Sequence, residues 1–315
     1  MRKGRSKSIS SNRLEGGPLG KGPLTGWVQD WETFRSDDNH VQLFGMLQHR
    51  EPWEKSRALV VLHGMGEHSG RYLQLPKFLG SEVDAIYLYD HRGHGRSEGL
   101  RGHVERFDRL VDDAVAVIRR LDEKLKKRFG TSEIHLLGHS LGGHLALRAL
   151  LQYPDLPVRS AIFSAPLLRV KARVPLGKKI AAAVLSQVWG SLQISTELDA
   201  AGLSHDPEVV RAYRQDRLVH DKMTPQFYSQ MKAAMANTLS RTTGLPVPVM
   251  FLVPSEDPIV DSRTTLEYYR ELKHRDKLLK TYPGFYHEPM NEVGREQVFQ
   301  DIAEFIRGNH AKPHL

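Results

Sequence analysis

The sequence predicts an α/β fold: a mostly parallel central sheet, helices on both of its faces, and an inserted helical cap. Three observations carry this. Short β-rich apolar runs recur along the chain, helical stretches separate them, and one long segment has helical spacing but no convincing strand.

Residues 1–26 are rich in Gly, Ser, Pro and basic side chains without periodicity, so a flexible basic tail is expected there. Strand-like stretches begin around Trp31–Arg35 and Val41–His49. Ala58–Leu62 is a short apolar run of the kind that fills a buried parallel strand, and Ala85–Tyr89 and Ile134–Leu137 repeat it. Arg159–Ser164 and Val249–Val253 add two more, and Lys277–Tyr282 is the last. The clearest helix is Phe107–Lys127, where Leu110, Val111, Ala114, Val117, Ile118 and Leu121 form one apolar face. Ile180, Val184, Val188 and Leu192 are spaced by four within a strandless stretch, so a cap is expected over 167–243. The core then divides into 27–166 and 244–308, with a short tail over 309–315. Ligands of such sheets bind at the carboxyl ends of the strands.

Composition narrows the functional classes. The 315 residues are 40% hydrophobic and 26% charged, as in an ordinary globular protein. With no cysteine, disulfides, thiolate metal sites and a Cys nucleophile are excluded. The net charge is +8, and the expected cap holds eleven Lys/Arg against six Asp/Glu. The basic residues form no aromatic-interleaved stripe, so a nucleic-acid partner is not expected. Arg2, Lys3, Arg5 and Lys7 are followed by Ser8-Ile9-Ser10-Ser11-Asn12-Arg13 rather than by the apolar core of a signal peptide. No stretch reaches the roughly 18 apolar residues of a membrane span. The expectation is a cytoplasmic protein that touches a membrane only peripherally; nothing in the sequence sets its oligomeric state.

The chemistry concentrates in four places. Gly138-His139-Ser140-Leu141-Gly142-Gly143 follows one strand and opens a helix, which is the setting of a nucleophile elbow in an α/β-hydrolase. The bare G-x-S-x-G pattern is weak, and its strand-turn-helix setting is what gives it weight. A serine nucleophile needs a base and an orienting acid, and in this fold the chain order is Ser, acid, His. Asp257 lies just past the strand Val249–Val253, with Glu256 and Asp261 as nearby competitors that would otherwise cap the next helix. His287 follows the last strand on a loop; its rival, His274, is expected in a charged, solvated helical stretch. The oxyanion hole needs two backbone N–H groups, which Leu141 and Met65 are placed to supply. His63, His68, His91, His94 and His103 are numerous, but they show no metal-binding spacing, and serine chemistry needs no metal or other cofactor.

These residues resemble a known family. His63-Gly64-Met65-Gly66-Glu67-His68-Ser69-Gly70-Arg71-Tyr72 closely resembles the oxyanion-loop signature of monoglyceride lipases and related lysophospholipases, a group also described as serine aminopeptidase-like hydrolases. Asp90-His91-Arg92-Gly93-His94-Gly95-Arg96-Ser97 is similar to the stretch after its next strand. Leu203–Val210 and Asp216–His220 are similar to its cap, and the likeness runs over roughly 27–308. The resemblance implies a mobile cap over an acyl tunnel, with Glu67 and Arg71 at the polar end where family members hold the glycerol head. A structural ion pair beside the oxyanion loop is the alternative for these two. The expected activity is hydrolysis of single-chain glycerolipids, monoacylglycerol ahead of lysophospholipid. Esters or peptides that are small and soluble stay open as substrates, as does a non-catalytic ligand-binding role on the same fold. Ile180, Leu185, Val188 and Trp189 beside Lys178 and Lys179 motivate contact with an anionic membrane; packing on the core is the alternative.

Overall fold

The computed structural model describes residues 25–171, 189–196 and 198–308. In chain order its strands are β1 (Trp27–Arg35), β2 (Gln42–Arg50), β3 (Arg57–Leu62), β4 (Ala85–Tyr89), β5 (Glu133–His139), β6 (Ser160–Ser164), β7 (Ile194–Ser195), β8 (Lys222–Met223), β9 (Val249–Pro254) and β10 (Lys277–Tyr282). Eight of them form one sheet in the order β1-β2-β4-β3-β5-β6-β9-β10. From β4 to β10 the neighbours are parallel, and β1 and β2 add an antiparallel edge. This is the α/β-hydrolase arrangement, and all eight expected strands are in it.

Period-two alternation explains why these strands are apolar throughout. Along β3, Ala58, Val60 and Leu62 face one core cluster and Leu59 and Val61 the other. The first cluster is closed by α2 (Asp108–Phe129) and α3 (Leu141–Gln152), the second by α1 (Leu75–Leu79) and α7 (Arg295–Ile306). Leu59 is wholly buried; truncating such a leucine to alanine costs about 2–5 kcal/mol, because the cavity left behind adds to the lost transfer energy. Helix α2 buries the six apolar residues expected of it. It ends at Gly130, whose φ of 74° gives the left-handed turn that releases the chain.

Between β6 and β9 the chain forms a 3-10 turn (Ala200–Gly202), α4 (Pro207–Gln215) and α5 (Pro225–Leu239), with α6 (Ser262–Glu271) following β9. Asp206 caps α4 and Thr224 caps α5 through their side-chain oxygens. Helix α5 lays Phe227, Met231 and Met235 into the cluster that holds α2 and α3.

Three expectations are corrected. The insertion does contain strands: β7 and β8 pair as a two-residue antiparallel ribbon, too short for alternation to register in the sequence. Leu192 is not helical but sits in a turn closed by its N–H on the Trp189 carbonyl, at 3.1 Å. His274 lies beyond the end of α6, half-buried, with Nε2 2.9 Å from the Val247 carbonyl oxygen rather than in solvent. Ile180, Val184, Leu185, Val188, Lys178 and Lys179, like the tails 1–24 and 309–315, lie outside the described residues. Among the described residues no helix is long and apolar enough to cross a membrane.

Candidate active site

Four loops converge at the carboxyl ends of the parallel strands: those after β3, β5, β9 and β10. Between β5 and α3, Ser140 adopts φ 52° and ψ −114°, a left-handed conformation strained for a residue with a Cβ. Two hydrogen bonds clamp it there. Its N–H donates to the Ser164 carbonyl and its carbonyl accepts from Leu167 N–H, both at 2.9 Å. The flanking glycines are required by space. A Cβ on Gly138 would run into the Gly142 carbonyl, and one on Gly142 into the Leu62 carbonyl.

Asp257 lies three residues past β9 and is 1% exposed. Its Oδ1 accepts from the backbone N–H groups of Ile259 (2.8 Å) and Val260 (2.9 Å), and its Oδ2 lies 2.7 Å from His287 Nδ1. Burial opposes ionisation, but His287 and the two N–H donors outweigh it and hold the carboxyl below its ordinary range. The competitors fall away on geometry: Glu256 is exposed, and Asp261 caps α6. For His287 burial works against the charged ring, yet Asp257 first, then Glu288 and Glu67, raise it above the usual histidine value.

The insertion helps to hold the histidine loop. His287 N–H donates to the Gly202 carbonyl (3.3 Å) and Glu288 N–H to the Leu203 carbonyl (2.9 Å). Next to them, His205 stacks on Tyr286 with ring centroids 3.7 Å apart. The ring of His139, the residue before Ser140, lies 4.8 Å from that of His287. Among the described residues no hydrogen bond joins the Ser140 hydroxyl to the imidazole; the two loops meet instead through the His139 ring.

The loop after β3 carries Met65. Among the described residues, neither Met65 N–H nor Leu141 N–H donates to an acceptor within the protein; Leu141 heads α3, where first-turn amides are orphaned. Glu67 and Arg71 are buried beneath this loop. Glu67 Oε1 accepts from Gly64 N–H (2.5 Å) and the Tyr72 hydroxyl (2.7 Å), and its Oε2 takes Arg71 Nη1 (2.6 Å). Arg71 also forks onto Glu288, Nη1 to Oε1 at 2.5 Å and Nη2 to Oε2 at 2.8 Å. The structural pair kept open by the sequence is therefore present, enlarged by a partner the sequence reading assigned no role. No local pattern in the sequence marked Glu288; only the structure shows a buried arginine facing one carboxylate, itself already bound by two donors, and taking a second.

Residues 213–220 of the insertion close onto the same loop. His220 N–H donates to the Gly66 carbonyl (2.8 Å), the Tyr213 ring lies 4.9 Å from the Arg71 guanidinium, and His68 Nε2 lies 2.8 Å from Asp216 Oδ2. His63 and His91 pack against each other under the same loop: His63 Nε2 accepts from His91 N–H at 2.9 Å, and the two rings lie 4.0 Å apart. Burial keeps His91 neutral, its pKa pushed down to about 4. Among the described residues no cluster of three His, Asp or Glu is arranged to hold a metal.

Comparison with known proteins fits this geometry. A family described as Hydrolase_4, serine aminopeptidase S33, matches residues 54–294. The chain belongs to this family. It is similar to the monoacylglycerol lipase of Mycolicibacterium smegmatis, 31% identical over 79% of this chain and 88% of that one. It is also similar to a phospholipase of Bacillus subtilis, 26% identical over 80% of this chain and 97% of the other. The crystal structure of Paleococcus ferrophilus monoacylglycerol lipase superposes with a TM-score of 0.73 at 29% identity, covering 85% of this chain and 99% of its own. The S33-family chain is thus an ester hydrolase of the serine class, and its fold brings strained serine, buried acid–histidine pair and unpaired backbone donors to one rim.

Proposed function

We propose that this hydrolase cleaves single-chain glycerolipids, monoacylglycerol in preference to lysophospholipid, through an acyl-enzyme formed on Ser140. The observation that carries the reading is the buried Asp257–His287 pair, ring to ring with the neighbour of a serine held on a strained elbow. His287 takes the proton of the Ser140 hydroxyl as Oγ attacks the ester carbonyl, and Asp257 fixes the imidazole with Nε2 toward the serine. The Met65 and Leu141 N–H groups receive the developing oxyanion. The same imidazole protonates the departing glycerol and then activates the water that frees the fatty acid. The substrate class is supported by the relatives named monoacylglycerol lipase, and action on a phospholipid by the one named phospholipase.

Labelling with a fluorophosphonate probe tests the nucleophile: wild type should label and Ser140→Ala should not, and labelling that survives the substitution overturns the assignment. A panel of monoacylglycerol, lysophosphatidylcholine and nitrophenyl esters of increasing chain length tests the substrate. Preference for short soluble esters would select the esterase reading instead.

The reading includes a cytoplasmic enzyme that meets its substrate at an anionic membrane. Trp189 is 66% exposed, with Leu192 and Ile194 exposed beside it, and the chain carries a net charge of +8. Co-sedimentation with anionic liposomes at low salt tests the contact; protein that stays in the supernatant removes it.

A further inference from the structure

We propose that Arg71 is a positioning residue that ties the oxyanion loop to the loop of His287, through Glu67 on one side and Glu288 on the other. The inference rests on the serine-hydrolase reading above but not on its lipid substrate.

The connectivity carries it. Gly64, one residue before Met65, has its N–H on Glu67 Oε1. Glu67 Oε2 accepts from Arg71 Nη1, and the same Nη1 together with Nη2 forks onto both oxygens of Glu288. Glu288 is bonded in sequence to His287. Its Oε2 also accepts from Asn291 Nδ2 (2.9 Å), and Asn291 Oδ1 accepts from Gln74 (3.1 Å). One guanidinium therefore spans the two loops that must hold, at the same moment, one oxyanion donor, Met65, and the general base. Tyr213 lies over that guanidinium from the insertion.

The alternative for Glu67 and Arg71 is a direct grip on the glycerol head. Their hydrogen bonding argues against it. Both oxygens of Glu67 are taken by three donors, both Nη atoms of Arg71 are engaged, and the two side chains are buried. A ligand would have to displace charge-assisted bonds inside the protein, where an uncompensated charge is expensive.

The network also adds to the field at His287, after the larger influence of Asp257. The charged groups facing that ring are Asp257, Glu288 and Glu67; Arg71 neutralises the last two, the His139 ring lies alongside, and Lys171 sits on the Asp257 carbonyl at 2.6 Å.

The test uses a nitrophenyl ester, which has an acyl chain and no glycerol. In Arg71→Met, kcat on this ester should fall by roughly 10²-fold, the usual cost of a misplacement of about 1 Å, with KM changing less. Arg71→Lys keeps the charge but loses the fork, so kcat should fall while the acid limb of the pH profile stays in place. Glu288→Gln removes a carboxylate beside His287 and should move the acid limb to lower pH, which a merely structural defect would not do. If Arg71→Met cleaves the nitrophenyl ester at the wild-type rate and fails only in KM for monoacylglycerol, Arg71 is a head-group contact and the proposal is wrong. If Arg71→Met does not fold, Glu288→Gln decides, and an unmoved limb with unchanged kcat overturns the proposal. Wild type that fails to cleave the ester at all would instead count against the hydrolase reading.

Discussion

The Asp257 carboxylate divides its work: one oxygen takes His287 Nδ1 at 2.7 Å while the other is held by the Ile259 and Val260 N–H groups. The acid is fixed by backbone before it fixes the ring, so the imidazole inherits its direction from the turn after β9. Asp257→Asn keeps the shape and removes the charge. It should lower kcat by about 10⁴-fold, because the ring then presents the wrong tautomer to Ser140. Near-wild-type thermal melting would show that the loss is chemical; a variant that keeps more than a tenth of wild-type kcat would remove Asp257 from the site.

The same pair sets the pH dependence. Burial disfavours the His287 imidazolium, but the carboxylates of Asp257, Glu288 and Glu67 outweigh it, so the ring titrates above its ordinary 6.5. A general base works only when neutral, so kcat/KM should fall as pH drops through a value above 6.5. In Asp257→Asn the limb should move to lower pH. A wild-type profile flat down to pH 5 on a nitrophenyl ester would contradict this.

Acid should also loosen the Arg71 network. Glu288 is buried, which alone would raise its pKa, but the Arg71 guanidinium prevails and holds it down to about 2, against an ordinary 4.5. A depressed carboxylate adds stability that is fully present above 4.5 and is lost as pH falls from there through about 2. The urea midpoint of wild type should therefore fall across that window, and Glu288→Gln should be less stable at pH 7 but less sensitive to acid. Parallel slopes for the two proteins would rule out Glu288 as the titrating group.

How much of this was legible in the sequence follows from the range of each interaction. The strands were visible because both faces of the parallel sheet are buried, so Ala58–Leu62 and Val249–Val253 read as unbroken apolar runs. The elbow was visible because backbone crowding forces glycine at 138 and 142, and steric demands are written locally. Asp257 was favoured over Asp261 by its place just past β9, and the structure separates their tasks: one meets His287, the other caps α6. Glu288 escaped a role because its partner lies 217 positions away. The ribbon of β7 and β8 escaped because two residues per strand leave no period to detect.

Contact between the insertion and the oxyanion loop gives the last prediction. Gly66 has φ 75°, its carbonyl accepts from His220 N–H at 2.8 Å, and a Cβ there would strike the His220 carbonyl. Gly66→Ala therefore meets two obstacles: left-handed backbone, worth about 1–2 kcal/mol for an L-residue, and a collision with the insertion. Relief of that collision must shift residue 66 or segment 213–220, and Met65, the proposed oxyanion donor next to it, moves with the loop. Turnover of the nitrophenyl ester should drop by about 10²-fold or more, the usual cost of one lost oxyanion donor. His220→Ala is the control, because the latch runs through its backbone; it should keep kcat within a few-fold. Limited proteolysis should cut Gly66→Ala faster than wild type around residues 213–222, where the Gly66 bond, the Tyr213–Arg71 contact and the His68–Asp216 pair otherwise hold the segment down. A Gly66→Ala enzyme with wild-type turnover and wild-type resistance to protease would mean that the oxyanion loop is positioned without the insertion.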